Sequence, residues 1–149
     1  MYKLKPTTTV ITKSFDLRVS SIETCGRIIN PNKKIFHETK KILWDTGATH
    51  SCLDIKVIEK LGLERIGIGI PSKTAGGIVS TYSYYVDINL SNKMPLYYRI
   101  VSGLSMSESL GVDFLIGMDI IRQGDFKIIT GQKQNKIFTF SFDVYKKSN

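Results

Sequence analysis

Asp45 closes the apolar run Ile42-Leu43-Trp44 and is followed by Thr46-Gly47-Ala48. A carboxylate at the end of an apolar strand is costly to bury unless it is hydrogen-bonded or placed for chemistry, and a Thr-Gly pair behind it permits a tight turn and the close approach of a partner. The chemistry open to such a group is acid–base: taking a proton from water, or returning one to a leaving group. Asp-Thr-Gly by itself is also a common strand-exit turn in which the Asp caps its own backbone. Order sets this one apart. Phe114-Leu115-Ile116-Gly117 repeats the apolar strand and its glycine late in the chain. A short helix, a glycine-bearing hairpin and paired strands lie between the two.

The elements that must position Asp45 are mostly short strands, predicting an all-β fold, a small closed barrel-like structure with one or two short helices. Phe15, Leu17 and Val19 alternate with Asp16, Arg18 and Ser20, and Phe138, Phe140, Phe142 and Val144 alternate with Thr139, Ser141 and Asp143. Residues 66–70 and 78–90 read as strands joined by Thr74-Ala75-Gly76-Gly77, whose glycines suit a tight or mobile hairpin tip. Along the returning strand Tyr82, Tyr84, Val86, Ile88 and Leu90 share one face. Gly67-Ile68-Gly69 is no dinucleotide loop, because Pro71 follows and no helix begins there. Helices are expected over 54–61 and 118–123, with Gly62 and Gly124 as left-handed caps. Turn signals at Asn30-Pro31-Asn32-Lys33 and across 131–135 predict hairpins.

With both motifs in sequence and a hairpin between them, the stretch from about residue 42 to 142 resembles the retropepsin-like aspartic proteases. Leu115-Ile116-Gly117-Met118-Asp119 is similar to the version in cellular and bacterial members. The resemblance implies that Asp45 is the catalytic aspartate, that Gly117 belongs to the same psi-shaped loop, and that the hairpin is a flap covering a peptide. It also implies a homodimer. Peptide hydrolysis of this type needs two carboxyl groups sharing a proton, of which aspartic proteases are themselves the standard instance. The 149-residue chain carries one Asp-Thr-Gly, so a twofold axis must bring Asp45 to its mate. On this reading Thr46 bonds across the axis and Gly47 leaves its backbone open to substrate. Ala48, Ala75, Gly76, Gly77 and Ile78 contact the peptide, with Trp44 near the cleft. One carboxylate takes the proton of a water and the other polarises the scissile carbonyl, which requires no cofactor, metal or covalent intermediate. Ala48, where many pepsin-like enzymes have a hydroxyl donor, predicts activity reaching weakly acidic or near-neutral pH, although the positive field of the chain acts in the other direction. The stretch 20–41 departs from the viral pattern. Viral members interleave their terminal strands on dimerising, which makes the apolar C-terminal strand a candidate for the interface.

Composition fits one soluble domain over 1–149, with 42% hydrophobic and 23% charged residues able to form a single core, a loose arm over 1–12 and a polar tail over 144–149. No apolar run approaches membrane-spanning length and the N-terminus does not read as a signal sequence, so the expected location is cytoplasmic and no membrane contact is expected. Asn89-Leu90-Ser91 is a formal sequon on a predicted strand and is set aside. Cys25 and Cys52 make no disulfide framework and are expected reduced, Cys52 as a small buried residue. His50 and Cys52 fall short of a metal site unless His37 converges on them. Asp113 opens its strand, and Asp119 lies in a first helical turn where negative charge is favourable. The net charge of +8 with clustered tyrosines raises nucleic-acid binding as a rival, but the lysines are scattered in pairs and read as solvated faces. A non-catalytic dimerisation or peptide-binding module is the other alternative.

Overall fold

The computed structural model describes residues 6–74 and 76–145; Ala75 and the ends of the expected N-terminal arm and C-terminal tail lie outside the described residues. The described chain runs β1 (Pro6–Phe15), β2 (Ile22–Ile29), β3 (Phe36–Trp44), β4 (Cys52–Asp54), α1 (Ile55–Leu61), β5 (Arg65–Thr74), β6 (Gly77–Leu90), β7 (Met94–Leu104), β8 (Phe114–Ile116), α2 (Met118–Ile121), β9 (Asp125–Thr130) and β10 (Lys136–Tyr145). Strands β2-β3-β8-β4-β7-β6 follow one another in a sheet, and β6 pairs back onto β2, closing a six-stranded barrel. Closure depends on a residue without a side chain. A Cβ on Gly26 would stand 2.8 Å from the Asn89 carbonyl oxygen and from Ile42 Cδ1, where β2 meets β6. The barrel is filled by Ile28, Ile42, Leu53, Ile88, Phe114 and Ile116, all essentially without solvent contact.

The local chemistry of the sequence explains most boundaries. Asn30 Oδ1 accepts from the N–H groups of Asn32 and Lys33, making the β2–β3 turn, while its Nδ2 donates to Leu61 O at 2.9 Å and ties that turn to the end of α1. Asp54, expected as the first helical residue, instead ends β4 and caps α1, while Gly62 takes the left-handed conformation after the helix, as the sequence predicts. The second helix departs from expectation. It ends at Ile121, with Arg122 as an αR cap, and Gly124 is not left-handed. Gly124 is instead required by crowding, because a Cβ there would collide with Ser141 O and the Phe140 ring as the chain turns into β9.

Two further expectations are corrected near the N-terminus. The arm over 1–12 is not loose in its described part: from Pro6 onward β1 is paired with β10 in unbroken register, Pro6 opposite Tyr145 and Phe15 opposite Lys136. The apolar alternation through Leu17 and Val19 is not strand, because Asp16 Oδ1 accepts from Arg18 N and Asp16 O from Val19 N, turning the chain and leaving both apolar side chains exposed. β10 lies between β1 and β9 in a separate three-stranded sheet. Its Phe138 and Phe140, with Phe126 of β9, pack around Trp44, with ring centroids 4.9, 4.8 and 6.1 Å from the indole respectively, and join this sheet to the barrel.

Beyond the barrel β5 and β6 extend as a hairpin whose tip holds Gly76, Gly77 and Ile78, all exposed, Ile78 at 70%. The face predicted for β6 is buried at Val86, Ile88 and Leu90; nearer the tip the hairpin leaves the core, and Tyr82 is exposed under the Arg65 guanidinium at 4.3 Å.

Candidate active site

Asp45 leaves β3 at the point where that strand runs parallel to β8, Trp44 opposite Ile116. The Asp45 N–H donates to Ile116 O at 2.9 Å, and Oδ1 accepts from Gly47 N at 2.8 Å, with Ala48 N closing the turn on Asp45 O. β4 returns antiparallel on the other side of β8, Leu53 opposite Phe114, so β8 is held between the two arms that flank the Asp45 loop. This is the psi-shaped arrangement, produced by two short apolar strands entering one sheet from opposite directions. Asp45 is half-buried, whereas Thr46 and Gly47 are exposed. The carboxylate is therefore oriented by backbone donation yet open to a substrate or a second chain.

Gly117 fits only because it is glycine. A Cβ on it would come within 2.7 Å of His50 C, 2.8 Å of His50 O and 2.9 Å of Ala48 O, all backbone atoms that cannot move aside singly. Met118 N donates to Ala48 O and Asp119 N to Thr49 O across the same gap. Gly117→Ala is expected to cost about 2–3 kcal/mol through this clash, lowering the melting temperature by roughly 5–10 °C. Thermal denaturation followed by circular dichroism measures it.

A clamp that the sequence did not reveal fixes the two loops together. Ser51, fully buried, donates from Oγ to Asp119 Oδ1 at 2.7 Å and from N to Oδ2 at 3.0 Å, while Gly117 N donates to Ser51 Oγ at 3.0 Å. Asp119 lies in the first turn of α2, as the sequence predicts, where Ile120 N also donates to Oδ1 at 3.0 Å, and it serves in addition as the acceptor for Ser51. The one legible signal was a serine entering an apolar strand; nothing in the sequence linked it to an aspartate so far along the chain.

The other predicted residues are distributed as follows. A cavity of about 420 Å³ beside Asp45 and Thr46 is walled by Phe15, Val19, Phe126 and Ile128 among others. Trp44 lines this cavity beside Asp45, near the cleft as expected, but is also a core residue: it is 5% exposed and its Nε1 donates to Thr24 Oγ1. Gly76, Gly77 and Ile78 stand at the hairpin tip and do not line this cavity, and Ala75 lies outside the described residues. His37 lies between Asp113 Oδ2, to which Nε2 donates, and the Lys60 ammonium, which donates to Nδ1, each at 2.9 Å; it does not converge on His50 or Cys52. Cys52 is half-buried behind the loop. Burial, then the nearby carboxylates of Asp119 and Asp45, push its thiol up to about 11. At pH 8 the thiolate is then about a hundredfold scarcer than for an ordinary thiol. A thiol-alkylating reagent is expected to modify exposed Cys25 first and to leave Cys52 largely unmodified, as peptide mapping by mass spectrometry would record.

A family model described as "Aspartyl protease" matches residues 34–120, more than half of the chain and inclusive of both arms of the psi-shaped loop. The chain belongs to the aspartyl protease family. The fold agrees. A retropepsin-like aspartic protease from Rickettsia conorii superposes with a TM-score of 0.56 at 19% identity, covering 97% of this chain and 100% of that one. EIAV protease, complexed with the inhibitor HBY-793, superposes with a TM-score of 0.53 at 21% identity, covering 72% of this chain and 90% of that one. No curated protein matches the chain by sequence. The fold of this aspartyl protease is therefore retropepsin-like, and among its described residues no helix is long and apolar enough to cross a membrane.

Proposed function

We propose that this aspartyl protease is a homodimeric endopeptidase whose catalytic pair is Asp45 of each subunit. The observation that carries the reading is the half-buried Asp45 carboxylate, oriented by Gly47 N–H on a psi-shaped loop whose Thr46 and Gly47 face outward. One such loop per chain supplies one carboxyl group, and the chemistry needs two. With a second Asp45 across a twofold axis, one carboxylate removes the proton of a water held between them, and the oxygen attacks the peptide carbonyl. The protonated partner donates to the carbonyl oxygen; as the tetrahedral diol collapses, the proton taken from water passes to the leaving amine nitrogen and one diol hydroxyl returns its proton to the partner carboxylate, leaving acid, amine and a singly protonated pair.

Thr46 fixes the loops across the axis, and Gly47 with Ala48 receives the substrate main chain. The β5–β6 hairpin acts as a flap. Its tip residues Ala75, Gly76, Gly77 and Ile78 cover the peptide and exclude water, with the exposure of Ile78 suiting it to contact an apolar side chain. The substrate is a peptide or protein segment, and the compartment proposed is the cytoplasm. The reading is tested by cleavage of a diverse peptide library from pH 4 to 7.5 at high protomer concentration, with Asp45→Asn beside the wild type. Cleavage that the variant lacks supports it; a dimeric wild type inert at every pH favours a peptide-binding module.

A further inference from the structure

We propose that the outer face of β6 and β7 binds single-stranded nucleic acid, whose bases stack on Tyr85, Tyr97 and Tyr98. The site stands apart from the protease chemistry, since none of these residues lines the cavity beside Asp45. Residues directly opposite one another on paired strands share a face. Ile88 and Leu96, one such pair, are buried in the barrel, whereas Tyr85 and Ile100, another, are 42% and 55% exposed.

Two observations carry the assignment, and the first is a strained bulge. The register shifts between Val86 and Ile88, so that one residue of β6, Asp87, faces two of β7, Tyr97 and Tyr98. In a regular strand neighbours point to opposite faces, and one of the two tyrosines would turn inward. The bulge leaves both in solvent, 64% and 63% exposed. It does so by holding Tyr98 at a φ of 49°, in the left-handed region that bulky side chains seldom occupy. Asp87 Oδ1 fixes that conformation by accepting from Tyr98 N at 2.8 Å. The Tyr98 ring meets Tyr85 edge to face with centroids 6.4 Å apart, so the rings form one platform across two strands. Strain of this kind persists only where the surroundings enforce it, and it concentrates where ligands are held. Here its product is ring area open to solvent.

The second observation is charge. From Arg65 to Leu104 the chain carries Arg65, Lys73, Lys93 and Arg99 and a single carboxylate, Asp87. That carboxylate is 7% exposed and committed to the bulge, while Arg65, Lys73 and Lys93 are exposed. Open aromatic rings among cations, with no exposed negative charge opposing them, suit a polyanion that offers flat rings of its own. A duplex keeps its base faces stacked inside, so the ligand is a single strand. Stacking accepts every base, and the face therefore needs no hydrogen-bonding groups to read a sequence. The lysine pairs elsewhere on the chain play no part in this site.

Fluorescence anisotropy with a labelled oligothymidylate of about 16 nucleotides tests the proposal, comparing wild type, Tyr85→Ala, Tyr98→Ala and Phe36→Ala at low salt, with folding checked by circular dichroism. Phe36, 50% exposed on β3, is the control. Each tyrosine variant is expected to bind about tenfold more weakly, with Phe36→Ala matching wild type. Affinity should fall with salt along a log–log slope of about −2, as for three phosphate contacts. Tyr85 lies in regular pairing outside the bulge, so Tyr85→Ala carries the test if Tyr98→Ala fails to fold. No binding at low salt, unchanged binding in the tyrosine variants, or a duplex of the same length bound as tightly overturns the proposal. So does a poly-glutamate peptide that binds as tightly and loses affinity with the same tyrosines, because it assigns the face to an acidic protein partner. All of these outcomes leave the reading of Asp45 untouched.

Discussion

Asp45→Asn is expected to reduce peptide cleavage by about three orders of magnitude or more, the upper range for loss of a general acid–base group. The substitution is nearly isosteric. The Asn carbonyl oxygen still accepts from Gly47 N, now 2.8 Å from Asp45 Oδ1, so the loop keeps its turn and the proposed dimer its contact surface. What is lost is the ability to take up and release a proton, and in a homodimer both members of the pair lose it together. Shared catalysis makes a second, sharper statement. When wild type and variant are unfolded and refolded as an equal mixture, random pairing leaves about a quarter of the dimers with two carboxylates. Activity near a quarter, rather than the half that independent monomers would retain, identifies one site built by two chains. Rates are read under subsaturating substrate so that the loss refers to the transition state.

The parts of this chain that were legible in its sequence are those governed by local chemistry. Asn30 and its neighbours make a turn by side-chain acceptance, Asp54 and Gly62 bracket α1, and the strands on either side of the β5–β6 hairpin follow from apolar runs bounded by glycine. The family also showed itself early, because Asp45-Thr46-Gly47 and Ile116-Gly117 are short motifs in a fixed order. The features that escaped depend on contacts between distant segments. Gly124 looked like a helix cap because glycine so often is one, yet its real constraint is the approach of Ser141 and Phe140 from β10. Asp119 was legible as a first-turn acidic residue of α2, but its clamp to Ser51 was not, because it spans 68 residues of sequence. Trp44 does line the cavity beside Asp45, but its second role, as the ring that Phe138 and Phe140 pack against to join the two sheets, depends on β10 and was not visible locally.

Asp54→Ala is expected to destabilise the fold by about 3 kcal/mol or more, since it strands several backbone donors at once. Asp54 is 1% exposed; Oδ2 accepts from Met106 N and Ser107 N, both at 2.8 Å, and Oδ1 from Lys56 N at 2.9 Å. It therefore caps α1 and also anchors the segment that follows β7. Burial pushes the carboxyl up, but the N–H groups of Met106, Ser107 and Lys56 outweigh it and hold the group below its ordinary value. The sign of the pH dependence follows. With the folded value depressed, the contribution of Asp54 is fully present above the unfolded value, about 3.9 for an aspartate, and is lost as pH falls through the folded one. At pH 7 the variant should melt roughly 10 °C below wild type, and the gap should narrow as both proteins are taken below pH 4. A gap that stays constant into strong acid would mean that the carboxylate's charge contributes nothing and that the loss is one of packing alone. Asp54 lies one residue beyond Leu53, which pairs with Phe114 at the base of the psi-shaped loop, so peptide cleavage at 37 °C should fall with the variant's folded fraction and recover on cooling.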